Sequence, residues 1–217
     1  MTEPPAVVQV TEEASMEFSE LSSDEDIESV ARSLENNGVT AFVVDSGDEA
    51  RELVRSMLPE GAEVFNNTSQ TLEAIGVADD IERSGRYQPL RLRLYQMDRE
   101  MQGREMRTLV AAPEYVVGSA HAVTQGGSLL IASASGSQLG SIVTGAAHVI
   151  LVIGGQKVVA DAETGLRRIY EYCFPLEDVR ARRAYGVPSG VNNILSINKV
   201  VAVGRVTTIL VKERLGF

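Results

Sequence analysis

The sequence HVILVIGGQK at residues 148–157 decides the fold class. Its apolar run is too continuous for a strand with one face in water, and Gly154-Gly155 marks its end. A strand that is buried on both faces is typical of a parallel sheet covered by helices. We therefore predict a buried parallel strand at residues 148–153, with Lys157 just beyond its carboxyl end.

Upstream of this strand, apolar strands alternate with amphipathic helices. A capping box at residues 22–25 begins a helix that ends at Gly38, and a strand at residues 39–44 leads into a second helix. A shorter strand at residues 63–65 is followed by a helix capped within residues 66–69. The alternation predicts an α/β fold with a mostly parallel sheet flanked by helices.

Further elements are predicted on the same grounds. Downstream helices are expected after the N-cap Asp161, ending at Pro175, and along the apolar stripe between Leu90 and Met101. We also predict strands at residues 109–112 and 128–132, and two antiparallel strands near the C-terminus at residues 195–203 and 206–211.

Composition limits the class of protein. The 217 residues are 44% hydrophobic and 23% charged, which suits one folded α/β domain. The longest apolar run, residues 142–153, falls short of the roughly 20 residues of a membrane helix, and we expect no membrane span. The first 15 residues lack a signal-peptide pattern, so a cytoplasmic location is predicted. One cysteine and two histidines leave no internal disulfide or iron–sulfur site, and we predict no metal in this chain.

The negative charge is concentrated at the N-terminus. The formal net charge is −10, but residues 1–31 hold nine acids and no Lys or Arg, so the remainder is close to neutral. No basic patch indicates a nucleic-acid partner. We predict that residues 1–21 form an acidic, flexible arm or a strand added late to the fold, and that residues 22–217 form the single domain.

Three blocks of the sequence resemble the LUD domain of lactate-utilisation proteins. They are residues 118–129, residues 149–169 with their Gly154 and Lys157, and residues 204–216. The resemblance implies a fold similar to ribose-5-phosphate isomerase, glucosamine-6-phosphate deaminase and CoA transferases. It also implies a role in oxidising L-lactate to pyruvate beside iron–sulfur partner subunits, which would carry the clusters.

The sequence departs from that family's pattern at two places. Gln125 stands where family members commonly carry an acidic residue, and the loop at residues 185–193 lacks the cysteine that many relatives have. We therefore do not expect a general base at position 125, and we do not carry over from the family any metal or redox role of that loop.

Glycine, serine and threonine are dense around the predicted strand at residues 128–132. Such loops bring backbone amides and hydroxyls close to a ligand, although a tight turn is an equally good interpretation of Gly126-Gly127. Lys157 adds a cation for a carboxylate or phosphate. The predicted ligand-binding residues are Ser119, His121, Thr124, Gly126, Gly127, Ser128, Ser133, Ser135, Gly136, Gly154, Lys157 and Arg168.

Several of these residues also have structural interpretations. Arg168 could reach the pocket, but a pair with Glu171 at i+3 is the favoured interpretation, and His121 is the candidate that would titrate near neutral pH. His148 is expected to be a core histidine and Cys173 a small buried hydrophobe.

Three functions remain open on the sequence alone. The first is an accessory or ligand-binding component of lactate oxidation that binds a small anion such as an organic acid, a sugar phosphate or a CoA-like molecule. The second is a free-standing enzyme acting on a sugar phosphate or an acyl-CoA, and the third is a sensor of organic acids without turnover. No catalytic residue is assigned.

Overall fold

A computed structural model describes residues 13–217 and contains two sheets. The helices are α1 Asp24–Asn36, α2 Gly47–Met57, α3 Gln70–Ala74, α4 Val77–Arg83, α5 Leu90–Gln96, α6 Gly103–Ala111, α7 Ala162–Arg168 and α8 Phe174–Tyr185. The strands are β1 Thr40–Val44, β2 Glu63–Asn66, β3 Gln88–Pro89, β4 Tyr115–Gly118, β5 Ala122–Thr124, β6 Leu129–Ser133, β7 His148–Gly154, β8 Val158–Val159, β9 Asn193–Ile197 and β10 Val206–Val211.

The main sheet has six strands in the order β1-β10-β7-β4-β2-β3, and every pairing within it is parallel. Helices cover both faces, so β7 is buried on both sides. Val149, Leu151 and Ile153 pack into one hydrophobic cluster, whereas Ile150 and Val152 pack into the other. The predicted α/β class and the buried strand are confirmed.

The second sheet is small and mixed, in the order β8-β5-β6-β9. Strands β5 and β6 form an antiparallel hairpin, and β9 pairs antiparallel with β6. The predicted antiparallel pair near the C-terminus is therefore corrected. Strand β9 ends at Ile197 rather than at residue 203, and β10 is a parallel strand between β1 and β7 of the main sheet.

Two local predictions were also wrong. Residues 109–112 were expected to be a strand, but they form the end of α6, because a four-residue apolar run does not distinguish a strand from the last turn of a helix. Pro175 does not end the preceding helix. It lies in the first turn of α8, where a missing N–H is tolerated. A single turn of π-helix at Ile169–Cys173 joins α7 to α8.

The segment before α1 contacts the domain. Met16–Ser19 forms a short 3₁₀ helix, the Phe18 side chain is buried beside Tyr172 and Cys173, and the backbone N–H of Ser15 donates to the carbonyl of Glu171. Residues 13–21 of the expected arm therefore include packed side chains. The rest of that prediction concerns residues 1–12, which lie outside the described residues.

Candidate functional site

A cavity of about 760 Å³ opens at the carboxyl ends of three neighbouring strands, β2, β4 and β7. Ligands in open α/β sheets bind at this edge, since the loops there converge over the strand ends. Strand β6, helix α8 and the pair α5–α6 complete the walls. Residues at the strand ends include Asn66, Asn67, Thr71, Ser119, His121 and Lys157.

Lys157 is a buried cation at this cavity. The short helix Gly155–Lys157 follows β7 and turns the side chain inward, leaving the residue 2% exposed. Its Nζ donates to Thr71 Oγ1 at 2.8 Å and to Ser119 Oγ at 3.1 Å. Those hydroxyls in turn donate to backbone carbonyls of Leu215 and Ala120, so their oxygens are free to accept from Nζ.

The surroundings of Lys157 do not compensate its charge. An ammonium has three N–H donors, but the described residues offer Nζ two hydroxyl acceptors and no carboxylate. Burial, followed by the nearby Arg168 guanidinium, lowers the pKa of Lys157 from 10.5 to about 7. The amine is therefore poised between its charged and neutral forms near neutral pH.

His121 lies beside the same cavity as a neutral hydrogen-bond donor. Its Nδ1 accepts from the backbone N–H of Ala132 at 3.1 Å, so the proton of the neutral ring lies on Nε2, for which no described residue is an acceptor. Burial is the main cause that lowers the pKa of His121 to about 3, with added repulsion from Lys157 and Arg168. The expectation that this histidine titrates near neutral pH was therefore wrong.

Two asparagines at the end of β2 add unsatisfied polar atoms. Asn66 is fully buried and its Nδ2 donates to Glu82 at 2.8 Å, but its Oδ1 has no partner. Asn67 is 8% exposed, its Oδ1 also lacks a partner, and its carboxamide makes no side-chain hydrogen bond within residues 13–217. Buried polar groups are normally hydrogen-bonded, so these two oxygens are acceptors that a donor in the cavity, such as water or a ligand hydroxyl, can satisfy.

The outer wall of the cavity carries arginines. Arg180 on α8 forms an ion pair with Glu177, with Nε 2.7 Å from Oε2, and Nη1 of Arg91 on α5 lies 3.7 Å from Oε1 of Glu82. Arg99 and Arg107 also line the cavity, and neither forms an ion pair with another described residue. The cavity therefore has a buried cation at its strand-end floor and further positive charge near its mouth.

Five of the predicted ligand-binding residues line this cavity: Ser119, His121, Ser133, Ser135 and Lys157. The hydroxyl of Ser133 accepts from the N–H of Gly136 at 2.9 Å and donates to Gln138 at 3.0 Å, which fixes the loop after β6.

The structure places Gly126, Gly127 and Ser128 away from the cavity, in the tight turn between β5 and β6. Gly127 has φ +78°, and a Cβ there would lie 2.7 Å from the backbone carbon of Ser33. Asn37 Nδ2 donates to the carbonyl of Gly126 at 2.8 Å. Of the two interpretations of this motif, the turn is the one that the structure supports, because the glycines let the hairpin lie against α1.

The remaining predicted positions also have structural roles. Thr124 Oγ1 accepts from the N–H of Ser128 at 3.0 Å inside the same turn, and Gly136 has φ +75° beside Asn193. Gly154 lies against the C-terminal segment, where a Cβ would be 2.7 Å from the backbone nitrogen of Leu215. None of Thr124, Gly136 and Gly154 lines the cavity.

Arg168 is buried behind the cavity rather than in it. It is fully buried, donates to the carbonyl of His121 and to Cys173 Sγ, and stacks on the Tyr172 ring at 5.1 Å. The expected pair with Glu171 was wrong, since Arg167 forms it at 2.8 Å.

The two remaining structural predictions had different outcomes. Cys173 is 2% exposed, as expected of a small hydrophobe, and burial raises the pKa of its thiol. His148 is exposed and stacks on Tyr115 with ring centroids 4.8 Å apart, so the expectation of a core histidine was wrong.

Thr71 and Asn67 are site residues that the sequence analysis missed. The polar stretch that contains Asn67 was interpreted only as a helix cap, and Ser69 indeed caps α3 by accepting from the N–H of Leu72. The available signal was its position directly after β2, where an open sheet places ligand-binding loops.

Within the described part of the chain, no group of three or more His, Cys, Asp or Glu side chains is arranged to hold a metal ion. No helix among residues 13–217 combines the length and apolarity needed to cross a membrane.

Comparison with known proteins gives a family match and a structural relative. The sequence model described as the LUD domain matches residues 27–211. A crystal structure of a DUF162 family protein from Deinococcus radiodurans is similar in fold, with a TM-score of 0.52 and 12% identity over 88% of this chain and 99% of that one. A search of curated proteins found no match.

Proposed function

The chain belongs to the LUD domain family, which is associated with lactate utilisation, and we propose that it is a ligand-binding component of L-lactate oxidation to pyruvate. Its ligand is a small anionic organic acid, bound in the cavity by Lys157. The observation that supports this most is the buried Lys157 ammonium, which has hydroxyl partners but no carboxylate among residues 13–217.

A bound organic acid would supply what this lysine lacks. An anionic oxygen of the ligand accepts the third N–H of Nζ and offsets the charge that burial destabilises. The Nδ2 amide of Asn67, which makes no side-chain hydrogen bond among residues 13–217, and the Nε2–H of His121 line the same cavity and offer further donors. Each of these groups then gains a partner on binding.

The electrons released by lactate oxidation go to iron–sulfur clusters of partner subunits in this proposal. A cluster is typically held by four cysteine thiolates, and this chain has only Cys173, which is buried beside Arg168. In this proposal this chain binds the acid, and its partners carry the redox groups.

Calorimetric titration of the purified chain with L-lactate and pyruvate tests the proposal. In Lys157→Met, loss of one charge-assisted hydrogen bond should weaken binding by about 1.5–3 kcal/mol, roughly tenfold or more. Lys199→Met is the matched control, because Lys199 is exposed and does not line the cavity. Equal affinity in wild type and Lys157→Met would refute the role of the lysine.

A second candidate is an enzyme acting on a sugar phosphate or an acyl-CoA. The cavity of about 760 Å³ exceeds what a six-atom acid fills, and Arg99 and Arg107 near its mouth suit phosphate groups. Titration with sugar phosphates and CoA esters distinguishes the two, since Arg107→Met should weaken the binding of phosphorylated ligands and leave that of lactate unchanged.

A further inference from the structure

We infer that Lys157 is a Schiff-base lysine, whose ε-amine attacks the carbonyl carbon of a 2-oxo acid in the cavity and forms an imine with it. The inference rests on the proposed function for its ligand class, because pyruvate, the product of lactate oxidation, is a 2-oxo acid. It extends that function from reversible binding to covalent capture at a named atom.

At a pKa of about 7 the ammonium of Lys157, which binds an anion, coexists with the neutral amine, and the hydrogen bonds of Nζ also suit the amine. A neutral amine has two N–H donors, which match Thr71 Oγ1 at 2.8 Å and Ser119 Oγ at 3.1 Å, and one lone pair. The third N–H of an ammonium has no acceptor among the described residues. Lys157 and both of its hydroxyl partners line the cavity, so the inference places the carbonyl carbon of a bound acid next to Nζ.

The charges around Lys157 favour the same form. Burial removes the water that would stabilise an ammonium, and the Arg168 guanidinium repels it, which together outweigh the opposite effect of Cys173. With its pKa lowered to about 7, the neutral fraction of Lys157 at pH 7 exceeds that of an ordinary lysine by roughly a thousandfold. Desolvation of a lysine in this way is a recognised route to an active amine nucleophile.

The covalent step balances without an oxidant or a reductant. The Nζ lone pair forms the C–N bond while the carbonyl oxygen takes up a proton, which gives a carbinolamine. The hydroxyl group then leaves as water after gaining a second proton, and the nitrogen keeps one hydrogen as a protonated imine. Of these two protons, one comes from Nζ and one from solvent, and the Ser119 hydroxyl, 3.1 Å from Nζ, is placed to relay them.

The rest of the cavity suits the carboxylate of a 2-oxo acid. His121 is fixed with its proton on Nε2, and Asn67 uses neither its Nδ2 donor nor its Oδ1 acceptor in a side-chain hydrogen bond of the described chain. Both line the same cavity as Lys157. These neutral donors can hold the carboxylate, which leaves Lys157 free to react with the adjacent carbonyl carbon.

Reductive trapping tests the inference on the full wild-type chain. The protein is incubated with pyruvate and borohydride, which reduces an imine to a stable secondary amine, and the modified residue is mapped by peptide mass spectrometry. The chain has three lysines, Lys157, Lys199 and Lys212, so the site is unambiguous. We expect an adduct at Lys157, at least tenfold more than at exposed Lys199, in line with the larger neutral fraction of the buried amine.

Two controls complete the experiment. L-lactate has no keto group that could form an imine and should give no adduct under the same conditions. Ser119→Ala should slow trapping by pyruvate without moving its position. Absence of an adduct at Lys157, or equal labelling of Lys199, would overturn the inference. Lys157-dependent calorimetric binding without an adduct would overturn the imine alone, whereas pyruvate binding unaffected by Lys157→Met would overturn the proposed function.

Discussion

The substitution Lys157→Met should remove a large part of the pH dependence of stability. In the folded chain burial lowers the pKa of Lys157 from 10.5 to about 7, whereas in the unfolded chain the lysine returns to its ordinary value. Between these values the unfolded state binds more protons than the folded state. The free energy of unfolding therefore rises as pH rises through this window, and the contribution is lost as pH falls toward 7.

The size of the effect follows from the two pKa values. Integrating the difference in bound protons from pH 7 to pH 9 gives a gain of about 2 kcal/mol in the free energy of unfolding from this one group. The window stops at pH 9 because Cys173 has a raised pKa and acts with the opposite sign above its ordinary value. Methionine has no titrating group, so the gain should be absent from Lys157→Met.

Urea denaturation at pH 7 and pH 9 measures this difference. The gain in wild type should exceed that in Lys157→Met by about 2 kcal/mol, a large fraction of the stability of an ordinary domain. Lys199→Met, which removes an exposed lysine, should keep the wild-type gain. Equal gains in wild type and Lys157→Met would show that the amine is solvated and that the burial argument is wrong.

Other substitutions test separate parts of the structure. Gly127→Ala should destabilise the fold more than Gly61→Ala, because both glycines have φ +78° but, of the two, only Gly127 lies where a Cβ would meet backbone atoms. Gly61→Ala should lower the free energy of unfolding in urea by about 1–2 kcal/mol. Equal losses in the two variants would contradict the packing of the turn against α1. His121→Asn should flatten the loss of stability as pH falls from 6.5 to 3, because the pKa of this half-buried imidazole is lowered to about 3. An unchanged dependence of stability on pH in this acid range would contradict this. Phe18→Ala should lower stability by about 3 kcal/mol, and an unchanged melting temperature would show that the 3₁₀ segment adds nothing to the domain.

The main sheet could be predicted because its strands carry their own signal. Residues 149–153 are apolar throughout, and the structure buries them between two hydrophobic clusters. Residues 109–112 are equally apolar over four positions but belong to α6, because tertiary contacts decide between the two periodicities in so short a run. The pairing of β9 with β6 in a second sheet depends on contacts between distant residues, which no local pattern encodes.

A site residue could be predicted where its position depends on the end of a single strand. Lys157 follows β7 directly, so its position at the cavity could be inferred from the chain alone. Thr71 and Asn67 join it because β2 and β7 both flank β4, and that order is not written in any local pattern. Gly126-Gly127 was wrongly predicted to bind the ligand, because glycines that approach a ligand and glycines that approach a helix look the same in sequence.

The position of β10 affects how the protein folds during its synthesis. This strand, at residues 206–211, lies between β1 and β7, so the main sheet stays in two parts until almost all of the residues described here have been synthesised. The pairing of β1 with β10 spans more than 160 residues, and such distant contacts form slowly. During that interval the edges of β1 and β7 that later pair with β10 are both unpaired, and unpaired strand edges favour aggregation.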